Sequence, residues 1–165
     1  MSHWTKEELS ALKEASTFED LVPIGVNVLL RMREEGEHIV QICGPMTTGG
    51  RGSLEANMEF FKKAQAVARR NGMHVFDQTP FEEAMLHLSQ GHLARRVYPE
   101  PILHVVYRGF FASGLIRELP FLPDWQSSVG ATWERQEAVA HGILVTDFPA
   151  PWIEIMDQVS LSAMS

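Results

Sequence analysis

The stretch 38–77, HIVQICGPMTTGGRGSLEANMEFFKKAQAVARRNGMHVFD, decides the fold class. It opens on a short apolar run, HIVQIC, of strand length, and passes directly into a loop of small and hydroxylated residues, GPMTTGGRGS. From about Ser53 to Asn71 the apolar residues recur at helical spacing, with Leu54, Met58, Phe61, Ala64 and Ala68 on one face. Gly72 suits the left-handed residue that closes a helix, and MHVFD follows as a second strand.

The alternation continues outward. Thr79-Pro80 with Glu82 predicts a helix with Thr79 as its cap and Pro80 at its first position. The stretch Gly91 to Pro101 reads as irregular. PILHVVYRGFFASG reads as a helix ending near Gly114, and LIRELPFLP as a third strand in which Pro120 marks a bulge or an edge. A turn at Ser127, Ser128 and Gly130 leads into a helix closed by Gly142. ILVTD is the fourth strand, and a short helix follows around Trp152 to Val159. Toward the amino terminus, Thr5 with Glu7 and Glu8 resembles a helix start. A second helix opens with a capping box from Ser16 to Glu19, is broken or offset by Pro23, and ends at Gly36. The expected organisation is an N-terminal helical extension, 1–36, on an α/β domain, 37–165, with a parallel sheet covered on both faces.

Composition narrows the function. A length of 165 residues suits one domain with a substantial core. The net charge of −7 and the lack of a dense Lys/Arg block argue against a nucleic-acid duplex or an anionic membrane as partner. Cys43 is the single cysteine, so neither an intramolecular disulfide nor a cysteine-rich metal site can form. Seven histidines show no ligand pair at helical spacing with an acidic partner, and no metal is expected. The amino terminus lacks the order of a signal peptide and no apolar run has membrane-spanning length, so the chain reads as cytoplasmic.

Two stretches at strand ends carry the candidate chemistry. In sheets of this kind ligands bind at the carboxyl ends of strands, near a switch in strand order. The loop Gly44–Ser53 joins a strand to a helix start. It is either a plain connection or an anion cradle in which backbone N–H groups and Arg51 hold a phosphate. It is not a P-loop and not a dinucleotide fingerprint. In the turn, Ser128 can cap the helix that carries Glu134. That glutamate either complements the helix dipole or attacks an electrophilic sugar carbon. Asp147 is equally an acid near the site or a turn residue. Trp125 either walls a pocket or packs at a strand end. Cys43 reads as a small buried strand residue.

CGPMTTGG after the first strand, HVFDQTPFE at the second and LPDWQSSVGATWERQEAVAHGI at the third resemble the nucleoside 2-deoxyribosyltransferase-like superfamily. The likeness is to its bacterial and phage branch with SGPMTG loops, and to the related 2′-deoxynucleoside 5′-phosphate N-hydrolases. It covers roughly 37–147. The resemblance implies a flavodoxin-like fold and a glutamate nucleophile, Glu134, that attacks C1′ of a ribose or deoxyribose. It implies substrate contacts from Gly44, Pro45, Met46, Thr47, Gly49, Gly50, Arg51, Gln78, Ser128 and Gly130. It further implies no cofactor, a nucleotide or nucleoside as the small-molecule partner, and a homodimer or larger assembly completing each site. Gln41 stands where the family often has an aromatic residue. His104, Tyr107 and Arg108 occupy the region of a family aspartate, and Arg117 that of another acid. A non-catalytic nucleotide-binding module of the same fold is the alternative.

Overall fold

The computed structural model describes residues 3–46, 49–88 and 101–158. Thr47, the stretch 91–100 expected to be irregular, and Val159 lie outside them.

Two helices come first, α1 (Lys6–Glu14) and α2 (Leu21–Glu35). Thr5 caps α1 with a reciprocal box to Glu8, as its sequence suggested. The box expected from Ser16 to Glu19 is shifted by one residue. Asp20 Oδ2 accepts from Thr17 N at 3.1 Å, and Asp20 N donates to Thr17 Oγ1 at 3.2 Å. Pro23 does not break α2, because it lies in the first turn, where a missing N–H costs no helical bond. Leu21, Val28, Leu29 and Met32 are fully buried, in the same apolar cluster as residues of the sheet.

The sheet has four parallel strands in the order β2-β1-β3-β4. They are β1 (Ile39–Val40), β2 (His74–Val75), β3 (Ile116–Phe121) and β4 (Leu144–Asp147). Past Val40 the chain still runs beside β3: Gln41 N donates to Glu118 O, and Cys43 N to Pro120 O, each at 3.0 Å. Alternation splits this segment between the two faces. Val40 and Ile42 join the cluster under α3 (Leu54–Arg70) and α7 (Ala150–Gln158). Ile39, Gln41 and Cys43 point the other way, toward α2, α4 (Thr79–Leu88), α5 (Arg108–Ala112) and α6 (Val129–Ala140). A π-helical segment, Ile102–Tyr107, runs into α5.

Pro120 is not on an edge. It sits in β3, between β1 and β4, and the register irregularity falls at Ile39/Val40 instead. Proline supplies no N–H to the ladder, and the Cys43 thiol lies 3.6 Å from the neighbouring Gln41 carbonyl. Thr79 does not cap α4. It is the first helical residue, and Asp77 Oδ1 accepts from its N–H at 3.0 Å and its hydroxyl at 2.6 Å. Within the α3 face, Phe61, Ala64 and Ala68 are fully buried while Leu54 is exposed. Among the described residues, no helix is long and apolar enough to cross a membrane.

Candidate active site

Ser128 starts the site. Its hydroxyl accepts from Ala131 N at 3.2 Å and fixes the first turn of α6. From that start, Gly130, Ala131, Glu134 and Ala138 fall on the buried face of the helix. Three of these are small, which lets α6 lie close to the sheet. The fourth is a glutamate. Glu134 is 7% exposed, and its Oε2 accepts from Gln41 Nε2 at 3.0 Å and Cys43 Sγ at 3.2 Å. It is therefore not a solvated carboxylate at a helix start.

Neither partner is a cation. Burial pushes the Glu134 carboxyl up to about 8, and the nearby charge of Glu82 adds to the rise, against the lowering effect of the two hydrogen bonds. Burial and the glutamate also hold the Cys43 thiol well above its ordinary value, so it donates as S–H. Gln41 is fully buried and its own amide oxygen lacks a hydrogen-bond partner. The proton that burial keeps on Glu134 is a complementary donor for such an oxygen.

Glu82, in the first turn of α4, is 8% exposed and accepts from the Tyr107 hydroxyl at 3.2 Å. Burial raises it to about 7, against the lowering effect of the tyrosine. Glu82, Tyr107 and Glu134 line one small cavity with Gln78, Ser128, Gly44, Met46 and Gly130. Two like charges do not form readily in such a space. Between their ionisations the pair keeps one proton, leaving one carboxylate and one acid.

No protein-family model, curated protein or solved structure matches this chain.

The first loop and the Ser127 turn lie together at the carboxyl ends of β1 and β3. Gly50 N donates to Ser127 Oγ at 2.8 Å. Asn57, buried in α3, ties the loop down: its Oδ1 accepts from Arg51 N at 2.7 Å, and its Nδ2 donates to Met46 O at 2.9 Å and Gly49 O at 3.1 Å. Gly49 has φ 68°, and a Cβ there would run into the Ser127 carbonyl. At Gly44 a Cβ would press on Leu122. Gln78 is held by Gln65 at 3.3 Å and donates to Ile42 O at 2.7 Å.

Not every expected residue faces the cavity. Pro45, Gly49 and Gly50 build the loop rather than the lining, and Thr47 lies outside the described residues. Arg51 turns away: its guanidinium stacks on Phe60, 3.8 Å from the ring centroid, and pairs with Asp157 at 3.6 Å. Trp125 packs on Phe121 and Arg135 instead of walling the cavity. Asp147 is exposed and pairs with Arg135 at 3.4 Å. His104 packs on Trp133, and Arg108 pairs with Glu137 at 2.8 Å.

Sequence reasoning missed Glu82 as a site residue, the Tyr107 hydroxyl that holds it, and the hydrogen bonding of Gln41 and Cys43 to Glu134. Glu82 did carry a signal, since an acid in the first turn after the second strand lies at the ligand-binding end of a parallel sheet. Among the described residues, the grouping of His, Cys, Asp and Glu able to share a metal ion, His3, Glu35 and His74, lies at the amino end of β2 and not here.

Proposed function

We propose that the protein cleaves, or transfers across, the N-glycosidic bond of a nucleoside or nucleoside 5′-monophosphate. Glu134 attacks C1′, the base leaves, and water or a second base releases the sugar. The observation that carries this reading is the pair of buried carboxyls in one cavity, Glu134 and Glu82, at the carboxyl ends of β1 and β3. Glycosyl transfer through a covalent intermediate needs one ionised carboxylate and one proton donor, and a pair sharing a single proton supplies both. The shared proton rests on Glu134, the higher-titrating of the two, so in this reading it passes to Glu82, held by Tyr107, when substrate binds; Glu134 then attacks as the carboxylate and Glu82 protonates the departing base. The strand order β2-β1-β3-β4 supports a flavodoxin-like assignment, with the cavity beside the switch in strand order between β1 and β3. The motif resemblance favours the same chemistry and a homo-oligomer. Exposed Val139 and Leu144, at 73% and 54%, support an apolar contact surface on α6 and β4.

One observation favours a second reading, a nucleotide-binding module without turnover. His104 packs on Trp133 and Arg108 pairs with Glu137, so the segment where the resembling family carries an aspartate brings no acid of its own to the cavity. A panel of nucleosides and 5′-monophosphates, assayed for free base, separates the two. Base release with the parent and none with Glu134→Gln supports the enzyme. Nucleotide binding without base release supports the module.

A further inference from the structure

We propose that His3, Glu35 and His74 bind one zinc ion that holds the amino-terminal segment against α2 and β2. One ring nitrogen of each histidine and a carboxylate oxygen lie within 4.8 Å of one another. His3 Nδ1 is 3.6 Å from Glu35 Oε2. Ligands at 2.0–2.1 Å around a tetrahedral zinc stand about 3.4 Å apart, so that edge is nearly formed and the others close by small side-chain rotations. Imidazole and carboxylate are ordinary zinc ligands, and three protein ligands leave the fourth position to water.

The surroundings suit ligation. His74 Nε2 lies 2.7 Å from Met32 O, the kind of backbone contact that fixes a ligating imidazole and leaves its other nitrogen with a free lone pair. The backbone of His3 is anchored from both sides. Arg31 donates to its carbonyl, and the next residue, Trp4, donates from its indole to Asp77 O at 2.8 Å. His3 is held below its ordinary proton affinity, first by burial and then by the charges of His74 and Arg69, against the pull of Glu35. Arg69 also repels a dication, so the affinity expected is on the order of micromolar, weaker than in a closed four-ligand site. The three ligands are far apart in sequence and no helical spacing joins them.

The test uses the full chain, without a purification tag and stripped by chelator, titrated with zinc chloride by calorimetry and followed by thermal unfolding. One ion per chain is expected, with Tm rising by roughly 5–10 °C at a hundredfold excess over Kd. Magnesium at the same concentration should give no shift. Glu35→Gln, at an exposed position, should weaken zinc at least tenfold, as should His74→Ala. His38→Ala removes a neighbouring exposed histidine paired with Glu118 and should leave binding intact. Failure of the parent to bind zinc overturns the site, as does equal affinity in the parent and Glu35→Gln.

Discussion

The two ends of the sheet treat the same residue types in opposite ways. At the amino end, Glu35 and Glu118 stand beside His3 and His38, at 3.6 and 2.7 Å, where solvent reaches at least one partner of each pair. At the carboxyl end, Glu134 and Glu82 are buried, and amide, thiol and phenol groups take the place of a cation. Charge is tolerated at one end and suppressed at the other. A carboxyl's chemistry here follows from its solvation and not from its spacing along the chain. Desolvated acids cost stability near neutral pH, and that cost is the usual mark of a working site.

The sharpest break in this contrast is Glu134→Gln. If Glu134 is the nucleophile proposed above, base release should fall about a thousandfold or more while nucleotide binding persists, because glutamine keeps the shape and cannot attack C1′. Parental turnover in this variant would return Glu134 to a structural role.

Next in size is the pH dependence of stability. Both cavity carboxyls titrate higher in the folded chain than the ordinary 4.5, at about 8 and about 7. Between pH 4.5 and those values the folded state binds more protons than the unfolded one, so stability falls as pH rises. From pH 5 to pH 8.5 the loss should be roughly 3 kcal/mol or more. Urea midpoints across that range check it, and Glu134→Gln should flatten the curve. A flat parental curve would mean that water reaches these groups.

Gly49→Ala tests how tightly the loop is docked on the Ser127 turn. A positive φ and a blocked Cβ should destabilise by about 1–3 kcal/mol, measured by chemical denaturation. Gly52→Ala shares the positive φ, has open space, and should cost less. Arg51→Ala should be the mildest change. Its pair with Asp157 is half exposed on both sides, so less than about 1 kcal/mol of stability is expected. A larger loss would show that the loop depends on that arginine.

Much of the frame was legible because its signals are local. The alternating strands and helices, the Gly72 and Gly142 helix ends and the Ser128 cap each depend on neighbours a few residues away. So did the placement of the loop and the turn at one end of the sheet. The misreadings came where a tertiary partner outweighed a local rule. By local rules Pro120 marks an edge or a bulge, yet β3 is central. Thr79 fits a cap by sequence, but Asp77 accepts its N–H and hydroxyl. Arg51 is drawn to Phe60 and Asp157, more than a hundred positions from the latter. Of the site, Glu134 was visible through its turn. Glu82 and Tyr107 meet only after α4 and the π-helical segment pack, so no spacing announces them.

Cys43 is the only thiol in the chain, and it lies on the floor of the cavity against Glu134. Its modification by a thiol reagent therefore requires the floor to be uncovered. The labelling rate becomes a clock for that opening, readable without any substrate. A ligand that settles over Glu134 should slow the clock, whatever reaction follows.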